Sequence, residues 1–393
     1  MSEQDGLAKL KPESRAVHGS TCRDTAFNSV IMPLYPSSTF AFERIGVHKG
    51  FDYTRSGNPT RKALEETIAS LEGGSACVCT GTGMAAVAGV LHLLKPGDHV
   101  ITGHDIYGGC YRLMHDVFAK YGIHFTFLDM TDLSCVEDAL TDSTALIWIE
   151  TPSNPVLRIV DVRAVTTLAR SRGIPTALDN TFMSPYFQQP FDLGVDIIVH
   201  STTKYINGHS DVVGGAIVTK DPQWDERVAF ITNACGLTES PWDAWLVLRG
   251  IRSLPQRMRT HAAVAQEVAN YLNQHPKVVK THYPGLPEHP QHELAKKQMS
   301  GFGGMVTFEL EASQAQLDVF FDKLQLFSLA ESLGGVESLI EAPWYMSHVS
   351  MSEEARATAG IKPGTIRVSV GLEHADDLIQ DIENGLAALK QKH

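Results

Sequence analysis

One lysine, Lys204, stands in the segment Ser201-Thr202-Thr203-Lys204, with hydroxyl side chains immediately before it. A lysine that is to form a Schiff base must reach a buried carbonyl carbon and must lose its proton to act as a nucleophile. Small hydroxyl residues and backbone N–H groups beside it are the groups that bind a phosphate. An acid, Asp179 in Asp179-Asn180-Thr181, follows another apolar run, and a buried carboxylate of this kind would hold a heterocyclic ring nitrogen in its protonated form. Tyr107 and the stretch from Glu150 to Asn154 follow two further apolar runs, and Gly81-Thr82-Gly83 makes a small-residue turn before a helix. Taken singly, each has a plain structural reading. A lysine after a strand is usually solvated, an aspartate there is usually a turn or N-cap residue, and a Gly-Thr-Gly turn mostly just starts a helix. Their ordering along the chain joins them into one set.

The elements that must position this set are legible as periodicity. Residues 1–50 lack a strong period and contain Pro33, Pro36 and Gly46, so 1–55 is expected to be an extended arm. Pro59–Leu71 has helical spacing, with Leu64, Ile68 and Leu71 on one face and Gly73-Gly74 as the stop. Gly83–Leu94 predicts a second helix. His99–Thr102, His124–Leu128, Ala145–Ile149, Thr176–Leu178, Asp196–Val199 and Gly215–Val218 predict strands. Leu113–Tyr121, Cys135–Leu140 and Arg163–Arg172 predict helices between them. Strands that are continuously apolar belong to a parallel sheet covered on both faces. The alternation predicts a doubly wound α/β domain over 56–250, with ligands at the carboxyl ends of its strands. Beyond it, the helix Arg259–Gln274, the strands Met305–Glu309 and Ile366–Ser369 and the helix Ala375–Leu389 predict a smaller α+β domain over 251–393.

Composition narrows the function classes. The chain has 393 residues, 33 basic against 45 acidic, for a net charge of −12, and no basic cluster, which argues against nucleic-acid or anionic-membrane partners. Its longest apolar run, Ala85–Leu94, is about half the roughly 18 residues a membrane helix needs. Met1–Arg15 is polar and lacks a signal-peptide core, so a cytoplasmic protein is expected. Six cysteines are too few for a disulfide scaffold at this length and are expected to be reduced thiols. Cys77 and Cys79 match no redox or zinc spacing, and His289 and His292 have no third ligand near them, so no metal site is expected.

Longer segments make the chain resemble the Cys/Met-metabolism family of pyridoxal phosphate (PLP) enzymes, the trans-sulfuration enzymes. They are FDYTRSGNPTR at 51–61, GTGMAA at 81–86, DIYGGCYR at 105–112, ETPSNP at 150–155 and DNTF at 179–182. STTKYINGHSDVVGG at 201–215, AESLGGVESL at 330–339 and IRVSVGLE at 366–373 complete the set. The resemblance implies a fold type I, aspartate-aminotransferase-like architecture and PLP bound covalently to Lys204 as a Schiff base. It implies that Asp179 faces the pyridine nitrogen and that Tyr107 stacks on the ring and helps activate the amine. Phosphate contacts would come from Gly83, Met84, Ser201 and Thr203, with Tyr53 and Arg55 reaching across from a neighbouring subunit. Arg367 would clamp the substrate α-carboxylate, helped by Ser332 and Asn154. A homotetramer of active-site-sharing dimers is implied as well.

Within the family, Glu331 before Ser332 resembles cystathionine γ-synthases and γ-lyases, and with Arg112 it could hold the far end of the substrate. Ser56, FMSPYFQ at 182–188 and HPQHELAKKQ at 289–298 resemble the lyases. YGGCYRL at 107–113 and MSEEARATAGI at 351–361 resemble bacterial γ-synthases. The reading adopted is a γ-synthase that makes cystathionine from an O-acyl-homoserine and cysteine. A cystathionine γ-lyase is the alternative, a homoserine sulfhydrylase a third, and a PLP-binding protein without turnover a fourth of a different class. Trp344 and Tyr345, in a segment unlike either group, are expected to narrow the site entrance.

Overall fold

A computed structural model describes residues 9–389; of the polar stretch expected at Met1–Arg15, residues 1–8 lie outside it. The chain divides into two compact units, each discontinuous in sequence. The first comprises Met1–Lys95 with Pro175–Pro255, the second Pro96–Ile174 with Gln256–His393.

The first unit carries strands β1 (Ala76–Thr80), β5 (Thr176–Asp179), β6 (Ile197–His200) and β7 (Gly215–Thr219), adjacent in the order β1-β7-β6-β5; the second carries β2 (His99–Gly103), β3 (His124–Leu128) and β4 (Thr144–Glu150). β5 and β6 run parallel, whereas β7 is antiparallel to both β6 and β1. Every residue of β6 and β7 is buried, which is what their unbroken apolar sequences require. The helix Pro59–Glu72 packs on β1 and β7. Its start is fixed by Asn58, whose side chain accepts from Thr60 N, and by Pro59 in the first turn; Gly73 ends it at φ 74°, in the left-handed region. Leu64, Ile68 and Leu71 form its buried face, as their spacing predicts.

In the second unit, β2 lies between β3 and β4 and is parallel to both. A separate sheet contains β8 (Val278–His282), β9 (Met305–Leu310), β10 (Ser328–Leu329), β11 (Leu339–Glu341) and β12 (Thr365–Ser369), in the order β10-β11-β12-β9-β8. Its core packs Val306 and Phe308 of β9 and Ile366 and Val368 of β12 against Val268 and Leu272 of the helix Leu254–Gln274. Leu378 and Ile382 of the helix Ala375–Ala388 complete it. Each such side chain contributes about 1.5–3 kcal/mol on burial.

Two local expectations change. Leu113–Tyr121 is not one α-helix: the helix starts at Gly108, widens to a π turn over Leu113–Val117, and closes as a 3-10 turn at Phe118–Tyr121 before Gly122. The i→i+5 pattern keeps Met114 and Phe118 buried together. The strand Ala76–Thr80 has no strong sequence signal, because ACVCT contains one β-branched apolar residue only; pairing along β7 defines it. All six cysteines are free thiols. Among the described residues, no helix is long and apolar enough to cross a membrane.

Candidate active site

Two sets of side chains form, one in each unit. In the first unit, Asp179 ends β5, and Ser201 to Lys204 form the turn that follows β6. Asp179 Oδ1 accepts from Thr181 N at 2.9 Å, and Thr181 Oγ1 accepts from Ser201 N at 2.8 Å, so one hydrogen-bonded run ties the two strand ends together. Lys204 N donates to Ser201 O at 3.2 Å and Lys204 O accepts from Gly208 N at 2.8 Å, which fixes the lysine's backbone on both sides. Thr203 is locked to Gly214 in both directions: Thr203 Oγ1 donates to Gly214 O at 3.2 Å and accepts from Gly214 N at 3.0 Å.

The helix Gly83–Leu91 begins against this turn. Its N-cap, Thr82, accepts from Ala85 N at 2.8 Å, and its first N–H groups belong to Gly83 and Met84. Such N–H groups have no carbonyl one turn back and favour an anion. A Cβ at position 83 would stand 2.8 Å from Ser201 Cβ and 2.9 Å from its Oγ, so only glycine lets the helix terminus come this close to the hydroxyl. We expect Gly83→Ala to impose an overpacking cost of roughly 1–3 kcal/mol. Where about 1.4 kcal/mol of that cost falls on the phosphate site, PLP retention, measured by equilibrium dialysis, should weaken about tenfold. Unchanged retention would show that Ser201 gives way without consequence.

Desolvation raises the Asp179 carboxyl above its ordinary pKa, opposed by its bonds to Thr181 and by the charge of His200. A carboxyl so placed fits a ring nitrogen whose proton it would share. Behind it lies a fully buried network: His200 Nε2 is 2.5 Å from Glu72 Oε1, which also accepts from Asn180 Nδ2 at 2.8 Å. Together, this carboxyl, the lysine turn and the glycine-bounded helix terminus fit the ring, the aldehyde and the phosphate of PLP.

In the second unit, Tyr107 follows β2 and donates its backbone N–H to Glu150 at the end of β4, at 3.0 and 3.2 Å to the two oxygens. Its hydroxyl is pushed up chiefly by burial, then by Cys110 and Glu331, against the opposing charges of Arg112 and Arg367. One acid and two arginines therefore bear on the same phenol. Among the described residues, Glu331 and Arg112, both exposed, form no ion pair with each other, so neither side chain is consumed in a mutual structural bridge.

Arg367, on β12, is 3% exposed. Its Nη1 donates to Asn154 Oδ1 at 2.9 Å and lies 3.2 Å from Glu341 Oε1, while its Nη2 donates to Ser332 O at 2.9 Å. Ser332 takes a φ of 87°, a strained value for a residue with a side chain, which turns its carbonyl towards the guanidinium.

The sequence reading missed the shell behind Arg367. Glu341 pairs with it across β11 and β12, and Ser347 Oγ donates to Glu341 Oε1 at 2.6 Å. His348, buried and beside the Arg367 charge, is pushed down to about 3 and is neutral, with Nε2 3.2 Å from Asn154 O. An acidic residue ending the apolar strand Leu339-Ile340-Glu341 is the one sequence signal that points there. Trp344 and Tyr345 are spent on packing. The Trp344 ring lies 4.3 Å beneath the Arg356 guanidinium and against Met351, Ala359 and Ile361, and Tyr345 packs on the main core of the second unit.

An acid ending one strand, a lysine after the next and a glycine-opened helix fit a PLP-dependent enzyme of fold type I, and the relatives of the chain are enzymes of that class. The chain matches the model of the Cys/Met metabolism PLP-dependent enzymes over residues 13–387 and belongs to that family. It is 47% identical over 374 residues to a cystathionine gamma-lyase of Dictyostelium discoideum, covering 95% of this chain and 97% of the relative. It is 46% identical over 374 residues to a cystathionine beta-lyase of Lactococcus lactis, covering 95% and 98%. A solved cystathionine gamma synthase from Xanthomonas oryzae pv. oryzae, in complex with cystathionine, superposes with a TM-score of 0.94 at 48% identity over 97% of this chain and 98% of that one.

Proposed function

We propose that the protein is a cystathionine γ-synthase, joining an O-acyl-homoserine to cysteine through the substrate's γ-carbon. The observation that supports this reading is Arg367, 3% exposed and oriented by Asn154 Oδ1 and Ser332 O, a cationic site suited to an α-carboxylate, in the unit that also carries the exposed Glu331 and Arg112. A product with an amino-acid group at each end needs an anion site at one end and a charge-bearing site at the other. Bound PLP supplies the electron sink that makes protons on the substrate's Cα and Cβ removable. Lys204 would hold the cofactor and, once released from it, would accept the Cα proton, pass it on, and then accept a Cβ proton, so that the group on Cγ can leave. Asp179 would keep the ring nitrogen protonated. Gly83, Met84, Ser201 and Thr203 would bind the phosphate. Tyr107 would lie against the ring and help accept the proton of the incoming amine. Arg367 binds the α-carboxylate with Asn154 and Ser332 beside it, and Glu331 with Arg112 holds the distal end.

The same reading makes residues 1–55 an arm that contributes to a neighbouring subunit's site, with Tyr53 and Arg55 reaching its phosphate. It makes the protein a cytoplasmic homotetramer. A γ-lyase is the second reading, supported by the lyase-like segments at 182–188 and 289–298 and by the D. discoideum relative. The names of the relatives also include β-lyases, so elimination at the β-carbon belongs in the test.

Incubation of the PLP-loaded protein with L-cystathionine alone separates these. No release, followed by cystathionine formation from an O-acyl-homoserine and cysteine, is the expected result. Cysteine with 2-oxobutanoate would make it a γ-lyase, and homocysteine with pyruvate a β-lyase.

A further inference from the structure

Arg61 lies in the first turn of the helix Pro59–Glu72 and is 2% exposed, an unfavourable place for a cation on both counts. Its donors are spent on three backbone carbonyls. Nη1 donates to Glu239 O at 3.0 Å, and Nη2 donates to Thr54 O at 2.7 Å and to Arg55 O at 3.2 Å. Its Nε faces Glu65 Oε1 at 3.5 Å, and that same oxygen accepts from Cys79 N of β1 at 3.1 Å. A strand of the sheet thus holds Glu65, Glu65 holds Arg61, and Arg61 holds the Thr54–Arg55 backbone from below.

The other side of that segment looks outward. Tyr53 is 46% exposed, and the Arg55 guanidinium lies 5.9 Å from its ring centre while donating to Asn233 O at 2.8 Å. Thr54 N donates to Ser38 O at 3.0 Å, which ties the segment to the preceding arm.

We propose that Arg61, braced by Glu65, is a positioning residue for the cofactor site of a neighbouring subunit, fixing the Thr54 and Arg55 carbonyls so that Tyr53 and Arg55 are presented in one preorganised geometry. The inference rests on the reading above that Tyr53 and Arg55 reach a neighbour's phosphate. Only a planar fork can serve three carbonyls and a carboxylate at once; a lysine at 61 keeps the charge and loses the fork. Glu65, raised to about 7 by its burial despite the arginine beside it, is held in place by that pairing and by Cys79.

The test is the PLP dissociation constant of Arg61→Lys, measured by equilibrium dialysis. It is expected to rise about ten- to a hundredfold, the loss of one or two hydrogen bonds from a charged donor. Mixed with Lys204→Ala subunits, Arg61→Lys subunits should recover tight PLP binding and activity. Each hybrid pair then has one site with Lys204 from one subunit and an intact Tyr53–Arg55 segment from the other. A merely structural defect would stay with the subunit that carries it and would not be rescued. If Arg61→Lys does not fold, Glu65→Gln should show a smaller loss with the same rescue. Unchanged affinity in the variant that folds, or no rescue, overturns the inference. Tyr53→Ala and Arg55→Ala, mixed in the same way, locate the failure. Rescue there with none for Arg61→Lys overturns the positioning role alone, and no rescue in any mixture overturns both it and the shared site.

Discussion

Lys204→Ala is expected to abolish turnover and, with it, the visible absorbance of the lysine–cofactor bond. On the proposed function the side chain would do two jobs: its amine would make the covalent link to PLP and would then move protons at two substrate carbons. Loss of positioned proton transfer alone removes about 10²–10⁴-fold in rate, and loss of the covalent anchor adds to that. The fold should survive. The backbone at 204 is held by Ser201 O and by Gly208 N, both independent of the side chain. Far-UV circular dichroism and the thermal midpoint of the cofactor-free protein should therefore stay near those of the parent. Retained turnover would sink the assignment of the lysine.

Arg367 carries the second large effect, split between two substitutions. Arg367→Lys keeps a cation opposite Glu341 but cannot reach Asn154 Oδ1, Ser332 O and a substrate carboxylate together. The expected result is a rise in KM of about ten- to a hundredfold with a smaller change in kcat, because hydrogen bonds to a charged group are worth about 1.5–3 kcal/mol. Arg367→Ala should also unsettle the unit. It strands a fully buried Glu341 carboxylate, and breaking a buried pair on one side costs about 3–5 kcal/mol. Denaturant unfolding of both variants separates the effects. Stability close to the parent in Arg367→Ala would mean that Glu341 accepts a proton at little cost or finds Ser347 sufficient. An unchanged KM in Arg367→Lys would move the carboxylate site elsewhere.

The positions of these residues were written in the sequence to unequal degrees. Burial on both faces makes the strands around Ile101, Trp148, Leu178 and Ile198 unbroken apolar runs, so their ends, and the residues that follow them, are legible without coordinates. Asp179, Lys204 and Tyr107 become candidates in that way. Arg367, Ser332 and the Tyr53–Arg55 loop become candidates only through segment resemblance, since no periodicity marks them. Cys77 and Cys79, by contrast, lie in a strand whose sequence carries little β signal.

What sequence alone determined was the register of local elements and the residue types at their ends, because both follow from a short-range period. Tertiary structure decided which side chains are desolvated together. Glu341 stands 26 residues before Arg367 in the sequence and meets it only because β11 and β12 pair antiparallel. Arg61 reaches Glu239 O only because the helix Pro59–Glu72 packs on β1. The acid ending Leu339-Ile340-Glu341 marks a position and not a partner, since a buried charge is tolerated only where folding brings its partners to it.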